Sequence, residues 1–84
     1  MFTIEWSKEA AKRLDRLHPA VGEAVKKRVS LLASDPEHFG KRLRHLELWS
    51  LRVGDYRVLY TVAWAASQIQ IVTVLHRKTA YDRS

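Results

Sequence analysis

The residues Gly54 and Asp55 separate two stretches in which apolar and polar side chains alternate, Leu48–Val53 and Tyr56–Val62. Alternation with a period of two is typical of a strand with one buried face, and a two-residue link that contains glycine is typical of a tight hairpin. A third stretch, Gln68–Leu75, is rich in isoleucine and valine. The C-terminal half is therefore predicted to form a three-stranded antiparallel meander.

The N-terminal half has a different pattern, in which a short strand precedes two helices. Phe2–Trp6 alternates apolar and polar residues and is predicted to be a strand. Ser7 is a suitable N-cap for a helix that extends to residue 17, with apolar residues at helical spacing. Because a residue that precedes proline avoids the helical conformation, a second helix is predicted to begin at Pro19 and to run to about Ala33.

Residues 35–46 show neither the strand period of two nor the helical spacing of apolar residues, and they are predicted to be an irregular basic connection. The order of elements is then β-α-α-β-β-β, and helices and strands that are separated in this way along a chain are typical of an α+β fold. The two helices are joined by almost nothing, so they are predicted to form an antiparallel hairpin.

The length and composition restrict the kind of protein further. Eighty-four residues, of which 46% are apolar, suffice for one domain, so residues 1–84 are predicted to form a single unit. The chain has no cysteine, which excludes a disulfide framework and a thiolate metal site. No apolar run approaches the roughly 20 residues of a membrane span, and Met1–Glu5 lacks the basic flank of a signal peptide. We therefore expect a cytoplasmic protein without a membrane partner.

The positive charge is concentrated in the second half of the chain. Residues 1–40 contain 7 Lys and Arg against 6 Asp and Glu, a net charge of +1, whereas residues 41–84 contain 8 against 3, a net charge of +5. A one-sided basic field is typical of proteins that bind a polyanion, usually a nucleic acid. An acidic protein partner is the alternative that the same field allows.

The hairpin register places two of these cations together. If Gly54-Asp55 is a two-residue loop, Arg52 faces Arg57 on one face of the hairpin. The opposite face carries residues that suit a core: Trp49, Leu51, Val53, Tyr56, Val58 and Tyr60. Like charges directly opposite each other destabilise a sheet by something on the order of a few tenths to 1 kcal/mol. Two rigid guanidiniums on one face suit a phosphate, although both side chains can instead extend separately into water.

A second basic cluster follows the third strand, where His76, Arg77 and Lys78 are succeeded by Tyr81. A histidine that leaves a strand directly into cations is a candidate for proton transfer. The chain has no HExxH sequence, no paired His/Asp cluster and no glycine-rich phosphate loop. We therefore expect neither a metal nor a cofactor.

These two segments together resemble a known family. LRVGDYRVLY, residues 51–60, and the His76-Arg77-Lys78 and Tyr81 cluster are similar to the C-terminal half of the RelE/ParE toxin superfamily, and the length, charge and element order agree over nearly the whole chain. The resemblance implies a single RelE-like toxin domain over residues 1–84. It also implies a toxin of a type II toxin–antitoxin system, with a cognate RelB-like antitoxin.

For RelE-type members, the resemblance implies a ribosome-dependent endoribonuclease that cuts mRNA in the A site without a metal. The 2′-hydroxyl of the RNA attacks, which gives a 2′,3′-cyclic phosphate. By position, Arg57 and Arg77 match the arginines that stabilise the phosphate, and Tyr81 matches a tyrosine of catalysis or base stacking. Arg52 matches a basic strand position, and His76 stands where some members have a basic residue and others a histidine.

One departure from the family pattern concerns the general base. RelE-type members often have two lysines on the strand before the glycine turn, where this chain has Leu48 and Ser50. His76 or a cation would have to compensate, and the candidate cations are Arg52 and, from the connection, Lys41 and Arg44. With Lys78, these cations are the predicted RNA-binding residues.

Two further readings of the resemblance stay open. One is a ParE-like toxin that poisons DNA gyrase by binding. The other is a catalytically weak toxin that acts mainly as the partner of its antitoxin.

Overall fold

In a computed structural model, which describes residues 1–44 and 46–78, the chain forms one mixed sheet with helices packed against it. The strands are β1 (Thr3–Trp6), β2 (Lys41–Arg42), β3 (Trp49–Val53), β4 (Tyr56–Ala63) and β5 (Gln68–His76). The helices are α1 (Lys8–Asp15), α2 (Pro19–Leu31) and α3 (Pro36–Phe39). The strand order is β1-β5-β4-β3-β2. None of the helices in the described ranges is long and apolar enough to cross a membrane.

The predicted order of one strand, two helices and a three-stranded meander is confirmed, and local capping accounts for the helix boundaries. The Ser7 hydroxyl oxygen accepts a hydrogen bond from the Ala10 amide at 3.0 Å, which satisfies one donor of the first turn of α1. The Nδ1 atom of His18 accepts from the Ala20 amide at 3.1 Å, and Pro19 occupies the first turn of α2.

The prediction of an irregular connection over residues 35–46 is wrong in part, since this segment contains α3 and β2. Asp35 caps α3, because its carboxylate accepts from the His38 amide at 3.1 Å. β2 pairs antiparallel with β3 and extends the sheet to five strands. A strand of two residues is too short to show a period of two, so the sequence pattern contains no sign of it.

The register predicted for the β3–β4 hairpin is confirmed at every pair. Val53 lies opposite Tyr56, and Arg52 lies opposite Arg57. Gly54 has a φ of +58°, and Ser67 is the only non-glycine residue of the described ranges with a positive φ. A positive φ at the first loop position alone is the geometry of a type II′ turn, whose twist matches that of the flanking strands.

Helices α1 and α2 pack against one face of the sheet. Its core joins Ala10, Val25, Val29 and Leu32 of the helical segment to Leu51, Val53, Val58, Tyr60, Ile69, Ile71 and Val74 of the strands. An irregularity in the β4–β5 pairing between Leu59 and Tyr60 leaves Val72 without an opposite residue. The opposite face carries Lys41 beside Ser50 and Arg52 beside Arg57, because the pairs in the register share a face. Lys41 and Arg52 of this basic face are exposed.

Candidate nucleic-acid interface

A small basic pocket lies at the hairpin end of the basic sheet face. Its volume is about 180 Å³, and it is lined by Arg52, Gly54, Tyr56, Arg57 and Arg77, which we call the arginine pocket. The two strand arginines come from facing positions of β3 and β4. Arg77 follows β5 and is held at the turn, because its amide donates to the Asp55 carbonyl at 2.7 Å. The fold therefore brings together three of the predicted site residues.

Two of the arginines that line the arginine pocket make local contacts at the turn. The Nε of Arg52 donates to the Gly54 carbonyl at 3.3 Å, which orients this guanidinium without neutralising it. The Arg77 guanidinium lies 3.7 Å from the Asp55 carboxylate, and these side chains are 57% and 66% exposed. An ion pair as exposed as this contributes little, about 0–1 kcal/mol. Guanidinium groups that converge in this way are suited to a phosphate.

His76 does not line the arginine pocket. It lies opposite Tyr56 in the register, so its side chain is on the other face of β5 from the residue beside Arg57. The rings of His76 and Tyr56 pack edge-on with centroids 5.0 Å apart. Nδ1 of His76 accepts from the Lys78 amide at 3.1 Å, and Lys78 itself is exposed. The geometry therefore separates the predicted proton-transfer histidine from the phosphate pocket by a tyrosine ring.

Two further cavities continue the basic surface beyond the arginine pocket. One, which we call the edge groove, has a volume of about 400 Å³ and shares Arg52 and Arg57 with the arginine pocket. It also contains Lys41 and, from α2, Arg28. The next cavity is lined by Lys41, Arg42, Leu43 and Arg44. The predicted residues Arg52, Lys41 and Arg44 thus lie along one track.

Arg28 is a residue that the sequence pattern did not single out. It is one of three consecutive cations of α2, and nothing in the sequence spacing distinguishes it from Lys26 and Lys27. Only the packing of α2 beside β3 places Arg28 in the edge groove. Predicted Tyr81 lies outside the described residues.

Tyr60 contacts the segment that leads into β2, the short strand that carries Lys41. Its hydroxyl donates to the Pro36 carbonyl at 2.8 Å, and its ring is fully buried and stacked on Trp49. Burial raises the pKa of Tyr60 from 10.0 to about 12, because a phenolate would lose its hydration. A Cβ atom at Gly40 would collide with the Tyr60 hydroxyl and would lie 2.7 Å from Cζ. The approach of the backbone to this ring therefore requires glycine.

Comparison with known proteins identifies the family. The model of the family described as ParE toxin of the type II toxin–antitoxin system parDE matches residues 4–81. The chain belongs to the RelE/ParE toxin superfamily. This match confirms the resemblance inferred from the hairpin motif, and it makes the protein a toxin of a type II toxin–antitoxin system.

Solved structures of RelE toxins have the same fold as this toxin. A chain of the RelBE2 toxin–antitoxin complex of Mycobacterium tuberculosis is 30% identical, with a TM-score of 0.84, over 90% of this chain and 98% of that one. A chain of the archaeal RelE–RelB complex of Pyrococcus horikoshii is 28% identical, with a TM-score of 0.75, over 90% and 94%. The isolated RelE toxin of E. coli is 19% identical and shares the fold, with a TM-score of 0.80 over 99% and 98%. A comparison with curated protein sequences gives no match.

Metal-ligating side chains do not cluster in the described part of this toxin. Within residues 1–44 and 46–78, no three His, Cys, Asp or Glu side chains are grouped as a metal site would require. The described residues that line the arginine pocket include neither a carboxylate nor an imidazole. The three arginines of this lining offer electrostatic stabilisation of an anion.

Proposed function

We propose that this toxin is a ribosome-dependent endoribonuclease that cuts mRNA in the A site. The observation that carries the proposal is the convergence of Arg52, Arg57 and Arg77 on one small pocket. The cost of placing two arginines opposite each other is understandable where an anion enters between them. The 30% identity to a chain of a RelBE complex supports the RelE branch.

The proposed reaction uses the RNA as its own nucleophile. The 2′-oxygen forms a bond to phosphorus and loses its proton, while the bond from phosphorus to the 5′-oxygen breaks and that oxygen gains a proton. The products are a 2′,3′-cyclic phosphate and a 5′-hydroxyl. Negative charge develops on the phosphoryl oxygens, and Arg57 and Arg77 stabilise it. Preorganised donors of this kind are usually the largest single contribution to catalysis.

Proton transfer to and from the RNA requires groups other than the arginines of the pocket. His76 is a candidate only if the Tyr56 ring moves or relays the proton, because the two rings are in contact beside the pocket. Tyr81, which the family resemblance places in catalysis or base stacking, is the second candidate. If neither group acts as a strong base, the rate enhancement comes mainly from charge stabilisation by the arginines, and the toxin is a weak nuclease.

Substitution of the pocket arginines tests the proposed activity. Arg57→Gln and Arg77→Gln should each lower mRNA cleavage on ribosomes about 100- to 1,000-fold, the usual effect of removing one preorganised donor. Lys27→Gln is the matched control, since it removes one charge from a cavity formed with Glu23, Ala24 and Lys26, away from the arginine pocket. Circular dichroism shows whether each variant is folded. Full cleavage by both folded arginine variants would refute the site assignment.

The gyrase alternative has its own support, since the matching family model is that of ParE toxins. Two assays on cells that express the toxin separate the readings. Transcript ends mapped within codons indicate the nuclease, whereas gyrase-dependent DNA breaks without such ends indicate the gyrase poison.

We also propose that an acidic antitoxin binds this toxin, as RelB proteins do in the similar complexes. A groove of about 570 Å³ along α1 fits such a partner. Its apolar floor is formed by Leu17 and Val74. Among the described residues that line it, four are cations and one is an acid, namely Lys8, Lys12, Arg13, Arg16 and Glu9. In addition, β1 pairs with β5 only as far as Ile71, so the rest of β5 has no strand beside it on that side within the described ranges. An extended segment can add there as a further strand.

The antitoxin proposal is tested with the protein encoded by a neighbouring short acidic reading frame. Lys12→Glu combined with Arg16→Glu should slow association with that protein and reduce its salt dependence. The charge-matched control, Lys26→Glu with Lys27→Glu, alters the other helix and should leave association unchanged. Equal effects of both pairs would exclude the α1 groove as the docking site.

A further inference from the structure

The edge groove is built differently from the arginine pocket. Arg28 of α2 lines it together with Phe39, Lys41 and Leu43. Arg52 and Arg57 line both cavities, so the two are adjacent. The groove therefore leads from the phosphate pocket to the helical layer.

Arg28 and Lys41 of the edge groove form no ion pair within the described part of the chain. None of the described residues that line it is acidic. The four ion pairs found in residues 1–44 and 46–78 involve Arg13, Lys26, Arg42 and Arg77, and therefore neither Arg28 nor Lys41. Both side chains are exposed. An anion in this groove would meet two cations that have no competing carboxylate.

The neighbours of Arg28 on α2 do not share this environment. Lys26 pairs with Glu23 at 3.6 Å. Lys27 lines a separate cavity with Glu23 and Lys26 on the outer side of the helix. One of three consecutive cations is thus directed toward the sheet, because Val25 and Val29 set the buried side of α2 and Arg28 lies beside it.

The two cavities differ in volume and in lining. The arginine pocket, at about 180 Å³, is smaller than the about 300–1,000 Å³ of cavities that hold small ligands, and arginines dominate its lining. The edge groove, at about 400 Å³, falls within that range. Its apolar wall of Phe39 and Leu43 can contact a sugar or a base, and Arg28 and Lys41 can contact a phosphate.

We propose that the edge groove binds the nucleotide adjacent to the scissile phosphate, and that Arg28 holds the phosphate of that nucleotide. The proposal rests on the proposed nuclease function and extends it to a second subsite. The RNA chain then runs from the arginine pocket over the β3 edge to α2. Arg28 is a binding residue in this scheme, not a catalytic one.

Binding of a hexanucleotide RNA with 2′-O-methyl groups tests the subsite, because the blocked hydroxyls prevent cleavage. Fluorescence anisotropy at several salt concentrations gives the affinity and the number of phosphate contacts. Arg28→Gln should weaken binding about fivefold and reduce the slope of log K against log salt by about 0.7, the contribution of one single-strand phosphate contact. Arg28→Lys should restore most of the slope. The control Lys27→Gln removes the same charge from the same helix and should change neither quantity.

The outcomes separate this inference from the proposed function. If Arg57→Gln weakens binding while Arg28→Gln behaves like Lys27→Gln, the edge groove is not a subsite, although the arginine pocket still binds RNA. If Arg57→Gln binds as tightly as the wild type, the arginine pocket does not bind the RNA, and the proposed function fails with it. Absence of wild-type binding even at low salt would overturn both.

Discussion

Substitution of Gly40 by alanine is the sharpest test of how the fold supports the interface. The added Cβ would collide with the Tyr60 hydroxyl and lie 2.7 Å from Cζ and 3.1 Å from Cε1 of a fully buried ring. Since that ring is stacked on Trp49 and hydrogen-bonded to the Pro36 carbonyl, a shift of the ring would disturb both contacts. Either the ring or the segment that leads into β2 must shift.

The expected cost has two sources. Overpacking of a close-packed core costs about 1–3 kcal/mol. Loss of the hydrogen bond from Tyr60 to Pro36, which leaves buried polar groups without partners, costs about 1–3 kcal/mol. These costs partly overlap, so we expect Gly40→Ala to lower the free energy of unfolding by about 2–4 kcal/mol.

Urea unfolding followed by tryptophan fluorescence measures this change. Gly22→Ala is the matched control, because a Cβ at Gly22 would lie 3.8 Å from the Leu14 carbonyl, at ordinary contact distance. That substitution in the interior of α2 should stabilise the protein by about 0.5–1 kcal/mol. The two variants should therefore change stability in opposite directions. A Gly40→Ala protein within 0.5 kcal/mol of the wild type would refute the packing argument.

Three further predictions follow from individual side chains. Folding raises the pKa of Tyr60 to about 12 from an unfolded value of 10.0, so between these two pH values the folded state keeps a proton that the unfolded state loses. The contribution of Tyr60 to the free energy of unfolding is therefore present below pH 10 and should fall as pH rises from 10 to 12, by at most about 3 kcal/mol. Tyr60→Phe should lack this fall in urea unfolding measured at alkaline pH. The buried Thr73 hydroxyl has no hydrogen-bond partner in the described ranges. Thr73→Val should therefore raise the free energy of unfolding by about 1 kcal/mol and raise the thermal unfolding midpoint. An unchanged or lower midpoint would contradict this. Asp55→Asn should tighten RNA binding several-fold in the anisotropy assay, because it removes the carboxylate that lies 3.7 Å from the Arg77 guanidinium. An unchanged affinity would show that this ion pair does not compete with RNA.

The element order could be predicted from the sequence because its signals are local. A cap at Ser7, a proline at position 19 and a glycine at position 54 each act within a few residues. The same holds for the arginine pair, since a two-residue loop determines which strand positions face each other. β2 escaped prediction because its two residues become a strand only by pairing with β3.

The candidate site divides in the same way. That Arg52 and Arg57 share a face follows from the sequence alone, because strand alternation and hairpin register are properties of neighbouring residues. The position of His76 behind Tyr56, the contact of Arg77 with the turn and the entry of Arg28 into the edge groove were decided only by tertiary structure. Each depends on the packing of elements that are far apart in the chain, and a residue's own neighbours do not specify which distant element it meets.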